Sequence, residues 1–353
     1  MGGLSTPVVG GIFLLATAAT WFAGLFLADS TDVLDDRFHL GEAIGGLILL
    51  GIAGTLPEVA ITASAAVRGN LSIAVGNLLG GIAMQTLVLV LMDLTSRSKT
   101  PLSSMSRVLE PIIEAQFVIL LVSIALLGPL LPSGVAIGPT SPISILLVIV
   151  WVGGLIVLNR TKKSERWKAA ADAVAPHMTL PSPEPAERVR PNRFERASTR
   201  VTVAGFLAAA VITLIAGVAL ERSGNTLADV WGVNGVVFGA TILAAVTALP
   251  EISTGIRAVR LGRVGLAMGD IFGGNQVQMT LFLMADILAG KPVLPTVTTG
   301  STWLGGIGIV VTAVYAVGLI VRPPRKLVGL GVDSWIVFLF YLFGIAGLIR
   351  ISG

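Results

Sequence analysis

Apolar runs of about 20 residues recur along the whole chain, separated by short polar stretches, and a helix needs about that many apolar residues to cross the hydrocarbon of a bilayer. The pattern predicts ten spans, near residues 8–28, 43–67, 71–95, 109–131, 142–159, 200–220, 234–256, 264–289, 302–321 and 333–350. The longest polar segment, 160–199, separates five spans from five. It is rich in Lys and Arg with a Pro-rich middle (PSPEP), which reads as a solvated linker. Its start, residues 160–175, could form a short helix on the membrane surface with Trp167 at the interface. The predicted fold class is an all-α polytopic membrane protein.

Two stretches of the chain say nearly the same thing: GIAGTLPEVAITASAA from Gly51 and AAVTALPEISTGIRAV from Ala244. Aligning Leu56-Pro57-Glu58 with Leu249-Pro250-Glu251 keeps register without a gap from Gly46/Gly239 to Asp93/Asp286. The pairs include Gly76/Gly269, Gly80/Gly273, Gly81/Gly274 and Gln85/Gln278. The chain thus divides into a first half, 1–159 (repeat core 43–95), the linker 160–199, and a second half, 200–353 (repeat core 234–289). Five spans per half is an odd number, so the second half enters the membrane in the opposite direction. The expected architecture is two inverted five-helix repeats, common among secondary transporters.

Composition narrows the chemistry. The chain is 54% hydrophobic and 12% charged, about half the charge of a soluble domain. It has no cysteine, and its two histidines, His39 and His177, fall in expected loops. Disulfides, thiolate metal sites and histidine zinc sites are therefore excluded. The net charge of +4 carries no hint of nucleic acid, because the basic residues sit in short loops. Placing the linker in the cytoplasm puts twenty of the twenty-four Lys and Arg on that side. The expectation is a multi-pass plasma-membrane protein with a cytoplasmic linker and both termini outside. The first apolar run lacks a basic leader and reads as a retained span.

An ionisable residue within a span is expensive and functional by default. Glu58 and Glu251 each follow a proline that should break or kink its span. The break frees carbonyls of residues such as Ala53, Gly54, Val246 and Thr247, which lipid tolerates only where protein or a water-filled cavity receives them. Carbonyl oxygens beside a carboxylate are hard ligands suited to Ca²⁺ or Na⁺. Two carboxylates meeting near the midplane repel, and a divalent cation, two protons or several monovalent ions would each match them. Gln85 and Gln278 can offer amide oxygens, and Asn275 is a further polar group where the first half has Ile82. Asp270 pairs with Asn77 in register and could serve the ion or pair with Arg263. Thr55 and Thr247 could line the pathway or bond back to their own helix. The glycines read as packing residues, and Asp93 and Asp286 as interfacial acids at span ends.

These motifs resemble the sodium/calcium exchanger superfamily, the calcium:cation antiporters. Its repeats carry a G-T-S-x-P-E type motif, then G-N-x-x-G-S-N-x-x-N/D on the next helix. This chain has Gly54-Thr55-Leu56-Pro57-Glu58 followed by Gly76-Asn77 through Gln85, and Thr247-Ala248-Leu249-Pro250-Glu251 followed by Gly269-Asp270 through Gln278. The resemblance implies that Glu58 and Glu251 are the central Ca²⁺ ligands. It sets Gly54 and Thr247 where a threonine carbonyl is used, and Thr55 and Ala248 where a serine helps bind Na⁺. Gly81 and Gly274 replace the next helix's serines, Gln85 and Gln278 its Asn or Asp, and Asn275 keeps the family residue. Three of four serine positions lack a hydroxyl, which thins the sodium sites and brings H⁺ coupling into view.

The reading is a secondary antiporter, not an enzyme, exchanging Ca²⁺ for Na⁺ or H⁺ by alternating access, with spans one and six sliding across the core. It implies no cofactor, and no partner beyond the bilayer and inorganic cations. The alternatives are a cation channel using the same acids as a selectivity ring, and an antiporter of Na⁺, K⁺ or Mg²⁺ against H⁺. A membrane acid-dyad hydrolase would need two carboxylates as well, but the sequence offers it no nucleophile or oxyanion site.

Overall fold

The computed structural model describes residues 4–38, 53–106, 109–132, 135–162 and 193–352. The expected start of span two and most of the linker lie outside these. Among the described residues the chain is helical, with two isolated β-bridges and no strand. The principal helices are α1 (Thr6–Phe38), α2 (Leu56–Arg68), α3 (Leu71–Thr95), α4 (Glu110–Ala125), α5 (Pro142–Lys162) and α6 (Thr199–Trp231). The second half continues with α7 (Gly235–Thr247), α8 (Leu249–Arg260), α9 (Val264–Ala289), α10 (Thr299–Val321) and α11 (Val332–Ser352). Among the described residues, seven helices are long and apolar enough to cross a membrane, and α7 with α8, bent by 45°, makes eight if the pair is one span. The molecule is a multi-pass membrane protein.

The helices sort by what their surfaces touch. In α3, 89% of the apolar stretch is buried, against 22% in α5 and 28% in both α1 and α6. Helix α3 therefore sits inside the bundle, while α1, α5 and α6 turn most of their apolar surface outward, as lipid-facing helices do. Helices α1 and α6 pack extensively on each other. Each has 33 residues, about 50 Å of helix, more than the hydrocarbon thickness. Both run about ten residues past the apolar runs that the sequence pattern marks. The polar residues after Ala28 and Leu220 end an apolar run but not a helix, because no proline interrupts either stretch. Gly232, at φ +64°, stops α6 in a left-handed cap. The fifth span, 142–159 in the apolar pattern, is a helix of 21 residues.

Close contacts repeat at the 193-residue offset of the duplication. A side chain on Gly24 of α1 would meet Pro250 Cβ at 2.6 Å, and one on Gly217 of α6 would meet Pro57 O at 3.0 Å. Each long helix of one half thus lies directly over the proline of the other, and a glycine makes that approach possible. Gly76 and Gly80 bring α3 against the backbone of Val236 and Ala240 on α7, as small residues do in membrane helix pairs.

Asp93 and Asp286 depart from the interfacial role expected of them: both are fully buried. Asp93 accepts from Leu102 N, Gly331 N and Ser334 Oγ, each at 2.8 Å, and pairs with Lys326 Nζ at 3.1 Å. Asp286 accepts from Ser141 N at 2.8 Å and Val293 N at 2.6 Å. Each acid fastens the start of the last helix of the opposite half, Ser141 and Ser334 being equivalent positions.

Candidate functional site

The two helix breaks have nearly the same backbone. Thr55 has φ −89° and ψ 6°, and its equivalent Ala248 has φ −79° and ψ −3°. Pro57 and Pro250 stand in the first turn of α2 and α8, where a missing N–H removes no helical bond. Glu58 and Glu251 follow in the same turn, so the positive end of each helix faces its acid. Glu58 is 1% exposed and Glu251 6%.

The acids come together. Glu251 lies within Coulombic range of both Glu58 and Asp270, and Glu58 lies within hydrogen-bonding reach of the Thr247 side chain. The Thr247 hydroxyl has a second acceptor for its one proton in Ala244 O, at 3.2 Å. A methyl on Gly54 would stand 3.9 Å from Glu251 Oε1 and 3.9 Å from Asp270 Oδ1. Gly54 therefore leaves its backbone open beside two carboxylates. Among the described residues, Glu58 and Glu251 enter no ion pair, and one oxygen of each, Oε2, has no hydrogen-bond partner. No three His, Asp or Glu side chains of the described residues form a metal cage by themselves.

A second layer of amides lies on α3 and α9. Gln85 Nε2 donates to Gln278 Oε1 at 3.3 Å, and Gln278 Nε2 donates to Leu78 O at 2.7 Å and Asn77 O at 3.3 Å. Gln278 presses on the face of Gly81, and Gln85 Oε1 is 3.7 Å from where a Gly274 side chain would begin. The glycines and glutamines are thus one arrangement: the longer amide of one half occupies room vacated by the missing side chain of the other. Thr55, 1% exposed, packs beside Gly274. Asn275 is fully buried, with neither amide atom partnered among the described residues.

Of the sequence-nominated residues, Glu58, Glu251, Gly54, Thr247 and Asp270 meet at the breaks. Gln85 and Gln278 lie in the layer beneath, Thr55 stands at the first break with its methyl toward Gly274, and no described contact joins Asn275 to the acids. Sequence reasoning passed over the wall of the site. A cleft is bounded by Glu251, Asp270, Gly54 and Thr254, with Ala28 of α1 and Thr213 of α6 also lining it. Its lining residues Ala28 and Thr254 lie next in sequence to Asp29 and one turn before Arg257, and Asp29 pairs with Arg257 at 2.7 Å and with Arg193 at 3.7 Å. Extending the 193-residue register back to α1 and α6 would have found that wall.

The molecule is thus a bundle of membrane spans with a buried acid at each of two equivalent helix breaks. The family model described as "Sodium/calcium exchanger protein" matches residues 8–160 and 201–350, and the chain belongs to that family of membrane exchangers. "Inner membrane protein YrbG" of Escherichia coli (strain K12) is 24% identical over 342 residues, covering 93% of this chain and 98% of that protein. Among solved structures, the H⁺/Ca²⁺ exchanger CAX aligns with TM-score 0.66 at 17% identity, over 98% of this chain and 86% of that one. The sodium-calcium exchanger NCX_Mj aligns with TM-score 0.56 at 15% identity, over 99% and 100%. At these identities the likeness shows the shared fold.

Proposed function

We propose that the chain exchanges Ca²⁺ for Na⁺ or H⁺ across the membrane, with one Ca²⁺ held between Glu58 and Glu251. The observation that carries this reading is the meeting of two buried, base-free acids at equivalent helix breaks. Two carboxylates supply too few ligands for Ca²⁺, which takes six to eight oxygens. The backbone carbonyls of Gly54 and Thr247, with Asp270, are the further hard oxygens that this reading calls on. Empty, the acids repel; protons or sodium ions relieve the same repulsion, so the site exchanges one charge set for another.

The architecture proposed is ten spans in two inverted halves, 1–159 and 200–353, with the 160–199 linker in the cytoplasm. Contacts between loops support the alternation. Arg37 donates to the carbonyls of Phe194, Glu195 and Ala197 at the end of the linker, on the side where Asp29, Arg193 and Arg257 meet. Arg68 and Asn70 instead reach Glu221 on the far half of α6.

Proteoliposomes with separately imposed gradients test the exchange. ⁴⁵Ca²⁺ should accumulate against its own gradient when either an outward Na⁺ gradient or a pH gradient is applied, and the effective gradient names the counter-ion. Flux that only runs down the Ca²⁺ gradient, whatever Na⁺ and pH do, would identify a channel and end the proposal.

A further inference from the structure

The hydroxyl side chains of α1 and α6 fall into two groups. Thr17, Ser30, Thr202, Ser223 and Thr226 return their protons to carbonyls of their own helix, one turn back. This is the ordinary fate of a hydroxyl in an apolar helix. Thr20, Thr31 and Thr213 do otherwise: they are 0%, 2% and 0% exposed, and none of the three hydroxyls has a partner among the described residues. A buried hydroxyl without a partner costs free energy. Thr31 has a glycine, Gly224, as its equivalent, whereas Thr20 and Thr213 occupy the same position, 193 residues apart, each four residues before the glycine that seats its helix on a proline of the opposite half. Thr213 forms part of the wall of the cleft that holds Glu251 and Asp270.

We infer that Thr213 and Thr20 are alternate oxygen ligands, each carried to the cation by a long helix and each serving the site when it opens to one side of the membrane. The inference rests on the exchange reading above. In the present conformation α6 places Thr213 on the Glu251 side of the site, in the cleft that Ala28 and Thr254 also line. The duplication relates this arrangement to its opposite. When α1 and α6 shift so that the cleft opens to the other face, Thr20 takes the equivalent place beside Glu58. A hydroxyl oxygen is a hard donor suited to Na⁺ or Ca²⁺. It replaces, from outside the repeat cores, part of what is lost at Ala248, Gly81 and Gly274. Contact between the cargo and the long helices also couples occupancy to their position, as an exchanger requires if it is not to shuttle empty.

The test measures half-saturating Ca²⁺ separately at each face, in proteoliposomes sorted by orientation, for wild type, Thr213→Val, Thr20→Val, Thr213→Ser and Glu251→Gln. Loss of one oxygen ligand to a charged species should raise half-saturation about 3- to 10-fold. Thr213→Val is expected to do so at one face only, Thr20→Val at the opposite face only, and Thr213→Ser to restore the wild-type value. Thr226→Val, at an exposed hydroxyl bonded to its own helix, should change neither face and controls for the substitution itself. Equal shifts at both faces would overturn the alternate assignment. Unchanged affinities in both valine variants, with transport abolished in Glu251→Gln, would remove the threonines and leave the exchange site intact. Full transport in Glu251→Gln would overturn the exchange site and this inference with it.

Discussion

The two repeats share a backbone but differ in how they are furnished. The breaks at Thr55 and Ala248 have matching dihedral angles, and both glutamates stand in the first turn that follows. Around that common frame the first repeat offers Gly54, Thr55, Asn77 and Ile82, and the second Thr247, Ala248, Asp270 and Asn275. The cleft reaches Glu251 and Asp270, whereas Glu58 is more deeply enclosed, with Thr247 alongside. Duplication therefore preserved the geometry that places the acids and left the surrounding polarity free to diverge. The shared features should be indispensable in both halves, and the divergent ones should matter unequally.

The largest effect belongs to what the halves share. Glu58→Gln and Glu251→Gln should each reduce Ca²⁺ transport by about 100-fold or more, since each strips one charge from a buried site built around two. A large difference between the two variants in initial-rate ⁴⁵Ca²⁺ uptake would show that one acid alone does the work.

Next come the buried acids at the helix ends, where the halves differ in a measurable way. Asp93 has a buried lysine and three further donors, while Asp286 accepts from two backbone N–H groups and, among the described residues, enters no ion pair. Asp93→Asn leaves Lys326 without its countercharge and should cost about 3–5 kcal/mol. Asp286→Asn should cost about 2 kcal/mol. Thermal unfolding of the purified protein in one detergent ranks them, and equal losses would contradict the account.

The third comparison exchanges the furnishing itself. Asp270→Asn should weaken Ca²⁺ binding about tenfold, a Coulombic loss near 1.4 kcal/mol. Adding Asn77→Asp returns a carboxylate at the equivalent position and should recover part of the affinity. No recovery in equilibrium binding would mean that the halves are not interchangeable at this position. The smallest effect is expected of Gly81→Ser, which pushes on Gln278. It should slow transport by about 3-fold, the cost of an overpacked contact, and shortening the amide with Gln278→Asn should relieve it in uptake assays.

Much of this was legible in the chain. Proline followed by glutamate twice, in register, marks the breaks and their acids, because a missing N–H and a charge are local properties. The apolar runs locate the helices for the same reason. Helix ends were less legible: the segments after Ala28 and Leu220 are polar yet stay helical, since leaving the hydrocarbon does not unwind a helix. Asp93 and Asp286 are not interfacial because each joins a donor a few residues on, Leu102 or Val293, to the start of the last helix of the opposite half, and that long-range capping leaves no local trace. The pairing of Gly81 with Gln278 could not be read as a compensation until the two helices were brought side by side. Thr20 and Thr213 look like ordinary helix threonines until their unpartnered hydroxyls are seen.

The central claim is one cation shared by two acids, and equilibrium ⁴⁵Ca²⁺ binding to the purified protein tests it most directly. Wild type should bind one Ca²⁺ per chain at this site, and Glu58→Gln and Glu251→Gln should each abolish that binding. Two Ca²⁺ per chain, with each variant losing only one, would mean that the acids serve separate ions and would contradict the account.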